Sequence, residues 1–387
     1  MFKREEFLVF GSPLIEEAEI EEVVKSMKSG WIGTGPKVRQ FEEMFCQFKG
    51  VNHAMALNSC TAALHLSLNV IGIQPGDEVI VPTMTFAATA NAVIHAGGKP
   101  VLVDCQKESM NIDPLQIEAK ITSKTRAIVV VHFAGRPCDM DPIMNIAHTH
   151  HLKVIEDCAH AIEAEYNGKQ TGLFGEIGCF SFYVTKNVCT GEGGMAITNH
   201  EAYADKIKIL ALHGMSKDAW KRFSDEGYKH YQVVYAGFKY NMMDIQAAMG
   251  IHQLPRIQTH WQRRQTIWNT YNAAFKDLPV FLPAPIPPNI KHSYHLYTLL
   301  LDIQRAHITR DHFLNEMTKR NIGVGVHYIA LHLHPYYQNT FQYQENDFPN
   351  ARWISDRTVS LPLSPKLTDQ DVADVIHSVR DIFEHVS

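Results

Sequence analysis

Leu152-Lys-Val-Ile-Glu-Asp-Cys-Ala-His-Ala161 and, further on, Gly178-Cys-Phe-Ser-Phe-Tyr-Val-Thr-Lys186-Asn-Val-Cys-Thr-Gly-Glu-Gly-Gly194-Met-Ala-Ile-Thr198 decide how this chain reads. Two short apolar runs, Leu152–Ile155 and Cys179–Tyr183, predict buried strands. Each leads into polar residues that a plain core has no use for. The first ends in Asp157, with His160 three residues on. The second carries Ser181 and delivers Lys186 into a loop rich in Thr and Gly.

An acid, an imidazole, a hydroxyl and a lysine at neighbouring strand ends suit a ligand with a basic ring nitrogen, a ring hydroxyl, a phosphate and an aldehyde. Pyridoxal phosphate has all four. Its usual setting is a lysine for the aldehyde and an aspartate for the ring nitrogen. A carboxylate there favours the protonated ring, the better electron sink. Singly, Lys186 reads as a surface lysine and Asp157 as a strand-end cap. Taken together, with a phosphate site upstream, they point to the cofactor.

A chain of 387 residues is long enough for one large domain and a smaller one. The boundary is expected near residue 250, with residues 1–250 binding the cofactor and 251–387 forming a small α+β unit. Lys and Arg number 36 and Asp and Glu 41, a net charge of −5, which gives no global drive toward nucleic acid or membrane. The seven cysteines are dispersed without a C-x-x-C pair, so free thiols in a reducing cytoplasm are expected. The first residues hold no signal-peptide core, and no apolar run reaches the length of a membrane span.

Along the chain, residues 13–29 predict an amphipathic helix closed by Gly30. A glycine-rich turn, Trp31–Pro36, leads to a second helix through Phe41, Phe45 and Phe48. From residue 54 a strand–helix rhythm begins. Strands are expected at Ala54–Leu57, Glu78–Val81, Pro100–Val103, Ala127–Val131 and Leu152–Ile155, with helices near 61–72, 87–96, 113–121 and 140–150. This predicts an α/β fold, a mostly parallel sheet flanked by helices. Ligands of such sheets bind beyond the carboxyl ends of the strands, where Asn58–Thr61, Thr83–Phe86 and Asp157 fall. A helix over 201–212, a loop over His213–Tyr235 and a helical connector from Asp244 through Arg264 follow. Proline-rich Pro283–Asn289 marks a bend. Beyond it, strands near 295–301 and 323–328 and helices near 309–320 and 368–385 are expected.

Several residues then take candidate roles. Asn58–Ala63 joins a strand to a helix, whose first N–H groups make a phosphate site, or a simple Ser/Thr cap. Phe86 can stack on a flat ring, or begin a helix as a core aromatic. Lys186 needs a lowered pKa to attack an aldehyde. Gly191–Gly194 would let backbone approach a bulky substrate. His327, His332 and His334 cluster in sequence and alternate positions such as 332 and 334 would share a strand face, yet no cysteine or carboxylate lies close in sequence, so no metal is expected.

With these residues on the page, the chain resembles the DegT/DnrJ/EryC1/StrS sugar aminotransferases nearly end to end. The resemblance covers Gly30–Pro36, Gly76–Pro82, Glu156–Ala161, Ser181–Lys186, Gly191–Gly194 and Ser360–Leu363. It implies the type I fold of pyridoxal-phosphate transferases and a homodimer with shared active sites. Lys186 would be the Schiff-base lysine and Asp157 the ring-nitrogen partner. His160 would sit at the ring hydroxyl. Cys60, Thr61, Ala62 and Ser181 would surround the phosphate, Phe86 would stack on the ring, and Asn241 would reach the phosphate of the neighbouring subunit. Thr34, His327 and Tyr328 are candidates for substrate contact. Cys60 departs from the glycine common at its position. His213–Trp220 and Gly237–Asp244 look most like enzymes that make UDP-4-amino-4-deoxy-L-arabinose and UDP-4-amino-hexoses. The expected reaction moves an amino group from glutamate, leaving 2-oxoglutarate, to a keto carbon of a nucleotide-linked sugar. C4 and UDP are favoured, in the making of lipopolysaccharide or another cell-surface polysaccharide. The alternatives are a sugar dehydratase and a non-catalytic pyridoxal-phosphate-binding regulator. Family dehydratases replace the lysine by histidine, whereas this chain keeps Lys186.

Overall fold

The computed structural model describes residues 2–216 and 231–385. Part of the predicted 213–235 loop therefore lies outside the described residues. The large sheet contains β1 (His53–Leu57), β2 (Glu78–Pro82), β3 (Lys99–Val103), β4 (Thr125–Val131), β5 (Lys153–Asp157), β8 (Ile177–Ser181) and β9 (Gly194–Thr198). Two short strands, β6 (Glu165–Tyr166) and β7 (Lys169–Gln170), intervene in sequence. The order is β1-β9-β8-β5-β4-β2-β3. Only β9 runs against the rest. The carboxyl ends of β1, β2, β5 and β8 and the start of β9 thus share one edge.

These strands are apolar on both faces because helices cover both. β2, for example, is buried at every residue. One covering helix, Cys60–Val70, is buried at nine of its positions. On the other side Phe41 and Phe45, from Pro36–Lys49, pack edge-on against Phe180 and Phe182 around β8. The aromatic spacing of that helix is core, as its periodicity predicts. Its exposed N–H groups are capped from far away. The Asp244 carboxylate accepts from the amides of Gly35, Lys37 and Val38 at 2.7–3.1 Å.

Glu156 is fully buried in β5 beside Asp157 and accepts from the Gly172, Phe174 and Gly175 amides at 2.6–2.8 Å and from His132 at 3.0 Å. This tethers the turn before β8 to β5 and sets Asp157 in place.

The helical connector is longer than expected. Asp244–Gln253 passes through a short 3-10 turn into Ile257–Phe275. Beyond it, β10 (Val280–Phe281), β12 (Tyr297–Leu301) and β13 (Thr358–Leu361) form a small antiparallel sheet, while β11 (Ile290–Lys291) pairs with β6. Helices Arg310–Lys319 and Asp369–His385 pack on it. The strand expected near 323–328 does not form. Gly325 makes a single bridge to Ser360, and β13 is the partner that β12 takes instead. The premise of a histidine-bearing strand face at 327–334 fails with it. All seven cysteines are free, and among the described residues no helix is long and apolar enough to cross a membrane.

Candidate active site

The shared edge of the sheet opens into a cavity of about 440 Å³, a size suited to a cofactor and part of a substrate. Cys60, Thr61, Phe86, Asp157, His160, Ser181, Lys186, His327 and Tyr328 all line it. Nine of the predicted residues, spread over 269 positions of sequence, meet here: seven follow or end strands of the large sheet that reach the same edge, and His327 and Tyr328 come in from the strandless stretch after residue 323.

Asp157 closes β5. Its Oδ2 accepts from Thr89 Oγ1 at 2.9 Å and its Oδ1 from the Ala159 amide at 3.1 Å. Burial nevertheless pushes its carboxyl above the usual range, against these bonds and the charge of Lys186. Such a buried acid gains from a cation beside it. Thr89 escaped the sequence reading. It lies one helical turn after Thr85, and the two hydroxyls meet at 2.9 Å, a pairing that strand-end reasoning does not reveal.

His160 is 5% exposed and not a solvent-facing helix residue. The Ala134 amide donates to its Nδ1 at 3.2 Å, so a neutral ring carries its hydrogen on Nε2, 3.1 Å from the Tyr328 hydroxyl. Burial, with Lys186 and two histidines nearby, pushes its pKa well below the ordinary value. His160 is therefore a hydrogen-bond donor toward the cavity.

Phe86 caps the N-terminus of Ala87–His95 and is 62% exposed, so it is not a core aromatic. Its ring stands 6.0 Å from that of Tyr328. Lys186 lies on the connection from β8 to β9. Desolvation lowers its pKa to about 8, opposed by Cys60 and Asp157. A useful fraction of the amine is neutral near physiological pH.

Two expectations change. The Ala62 amide is not free for a phosphate, since it donates to the capping Ser59 Oγ at 3.1 Å, and its side chain is core. Gly193 and Gly194 serve close packing within the chain. A Cβ on Gly194 would come within 2.3 Å of Ser59 backbone, and one on Gly193 within 2.3 Å of Thr190 Oγ1. Asn241, expected at the phosphate of a neighbouring subunit, lies with Thr34 in another cavity of this chain, where its Nδ2 donates to Thr34 Oγ1 at 2.5 Å.

The residues present fit pyridoxal phosphate. The exposed face of Phe86 offers a stacking surface, and the buried Asp157 offers an anion to a ring N–H. Nε2–H of His160 offers a donor to a ring oxygen, and Lys186 offers a partly neutral amine. The first turn of Cys60–Val70, with Thr61 exposed, offers a phosphate site.

Comparison with known proteins agrees. The chain is 49% identical over 381 residues to the spore coat polysaccharide biosynthesis protein SpsC of Bacillus subtilis, covering 98% of each. The PLP form of Spr1654 from Streptococcus pneumoniae superposes with a TM-score of 0.90 at 32% identity, covering 98% of this chain and all of that one. PseC of Helicobacter pylori, an aminotransferase involved in the biosynthesis of pseudoaminic acid, does so with a TM-score of 0.90 at 30% identity and the same coverage. The model of the DegT/DnrJ/EryC1/StrS aminotransferase family matches residues 13–380. With a type I fold and a site built for pyridoxal 5′-phosphate, this chain belongs to the DegT/DnrJ/EryC1/StrS family of PLP-dependent sugar aminotransferases.

Proposed function

We propose that the enzyme transfers an amino group from glutamate to the C4 keto carbon of a UDP-linked sugar, in the cytoplasm, for a cell-surface polysaccharide such as lipopolysaccharide. The observation that carries the reading is the single cavity joining Lys186, Asp157, His160 and Phe86 at the strand ends. The likeness to a polysaccharide-biosynthesis protein supports the destination of the product. The Gly237–Asp244 stretch supports UDP and C4.

Bound in this cavity, pyridoxal phosphate would supply an aldehyde for amine exchange and a ring that accepts the electron pair left when a proton leaves carbon. Asp157 would hold the ring nitrogen protonated, and Phe86 would cover one ring face. His160 would donate to the ring oxygen. Thr61 and Ser181 would orient the phosphate beside Cys60 and Ala62. Lys186 Nζ would carry the proton between the substrate carbon and the cofactor carbon, outward from the donor in one half-reaction and onto the sugar in the other. His327 and Tyr328 would meet the sugar. We further propose a homodimer in which Asn241 and Thr34 complete the neighbour's site, and a division near residue 250. An apolar cluster around β12–β13, drawn from residues between Ile267 and Phe383, supports that division, while Leu296, Leu300 and parts of residues 330–354 join the cluster of the large sheet.

Borohydride reduction and peptide mapping should trap the cofactor on Lys186. A panel of UDP- and dTDP-linked 4-keto and 3-keto sugars with glutamate should show the fastest turnover with a UDP-4-keto sugar. Good turnover only with a dTDP-3-keto sugar would overturn the substrate assignment.

A further inference from the structure

A buried polar chain runs behind Lys186. Glu163 and Arg264, both nearly inaccessible, form an ion pair. Glu163 Oε2 accepts from Asn187 Nδ2 at 2.8 Å, and the same amide nitrogen donates to the Ser293 carbonyl at 3.1 Å. Both partners only accept, so the Asn187 oxygen must be the atom facing His295, 2.9 Å from its Nδ1. An amide oxygen cannot donate. His295 Nδ1 therefore carries the hydrogen, and in the neutral ring Nε2 is a bare acceptor. Burial, together with the nearby charge of Lys186, keeps this ring neutral.

His160 is fixed in the opposite sense, with Nδ1 accepting and Nε2–H donating. The two rings lie 4.4 Å apart. One presents a donor and the other an acceptor. His295 lines a cavity of about 300 Å³ together with Lys186 and His327. Among the described residues, His295 Nε2 and Lys186 Nζ each lack a hydrogen bond. Asp157, Cys60, His160, His295 and His327 couple electrostatically to the lysine, and Tyr183, Glu192, Tyr328, His260 and Arg264 line cavities with it.

We propose that Asn187, oriented by the Glu163–Arg264 pair, locks His295 in the Nδ1–H form, so that Nε2 is the open acceptor to which the Lys186 amine swings when a half-reaction releases it from the cofactor. A transferase lysine is released in each half-reaction and must stay near the reacting carbons. A neutral acceptor holds it without the strong bias toward ammonium that a carboxylate would impose. His295 is thus a positioning residue. The inference rests on Lys186 being the reactive amine.

The test uses the full-length protein stripped of cofactor, with ¹⁵N-labelled histidine. The His295 signals should show a protonated Nδ1 and an unprotonated Nε2. The reverse tautomer, or an even mixture, would overturn the lock without touching the assignment of Lys186, which borohydride trapping checks separately. The second measurement is the pH midpoint for reductive methylation of Lys186. His295→Leu removes an acceptor that favours the ammonium form. The midpoint should fall by about half a pH unit, roughly a threefold change in neutral amine at fixed pH. His295→Gln, which keeps an acceptor, should stay near wild type. Equal midpoints in all three proteins would refute the positioning role. In the loaded enzyme, His295→Leu should lower kcat with little change in the KM for glutamate, and His295→Gln should restore much of it.

Discussion

Replacing Lys186 by Met should stabilise the cofactor-free protein while abolishing catalysis. The folded chain holds this amine in a poorly hydrated cavity, where it titrates near 8 and not near its ordinary 10.5. At about 1.4 kcal/mol for each tenfold change in proton affinity, the buried ammonium costs the fold about 3 kcal/mol at neutral pH. Water reaching the cavity makes this an upper figure. The sign follows from proton counting. Below pH 8 the folded and unfolded chains both carry the proton, and the full cost is present. Between pH 8 and about 10.5 the folded chain has lost it and the unfolded chain has not, so wild-type stability gains from this group as pH rises. Above that range the cost is gone. Lys186→Met should therefore be more stable than wild type at pH 7 by about 2–3 kcal/mol, and the gap should close between pH 8 and 10.5. Urea unfolding of both cofactor-free proteins across that range is the assay. A variant equally or less stable at pH 7, or a gap independent of pH, would refute the claim that Lys186 is held desolvated. Turnover should fall by at least the 10²–10⁴-fold associated with a positioned acid–base group.

Asp157→Asn should retain the fold but lower turnover by about two or more orders of magnitude, because no charge remains to hold a ring N–H; steady-state kinetics read it. Phe86→Ala should change stability by less than about 0.5 kcal/mol, since the ring is largely exposed, yet weaken cofactor binding by roughly three- to tenfold through lost stacking, measured by titration of the stripped protein. Gly194→Ala should destabilise by about 2 kcal/mol or more in urea unfolding, because its methyl would meet the Ser59 and Cys60 backbone at 2.3–2.5 Å, where no side-chain rotation relieves the overlap.

The strand–helix rhythm made most of the large sheet readable, and with it the site. Asp157, Ser181 and the Cys60 turn could be gathered from sequence because parallel strands all end on one side. The supports behind the site were hidden. Glu163 and Arg264 stand 101 positions apart and each looks like an ordinary surface charge until burial joins them. Asn187 reads as a loop residue, and nothing local ties it to His295. The 323–328 stretch alternates like a strand, but Gly323 and Gly325 are packed against Leu8–Phe10 and His327, and only one ladder bridge results. Tyr328, chosen from the resemblance alone, proved to touch His160.

The antiparallel course of β9 places Lys186 on a connection between adjacent strands and not on a crossover to a helix. That connection is stitched to itself, with the Phe182 amide donating to the Gly193 carbonyl and the Thr190 amide to the Phe182 carbonyl, both at 2.9 Å. Its two ends are registered to the sheet through Ser181 and Gly194. Swinging the segment as a lid would require breaking these bonds, a local opening on the microsecond scale or slower. Rotation about the lysine's own carbon–carbon bonds needs none of them and belongs to picoseconds and nanoseconds. In the role proposed for it, the amine would therefore travel between reacting atoms far faster than any gate in this part of the chain, with the backbone staying still while it does.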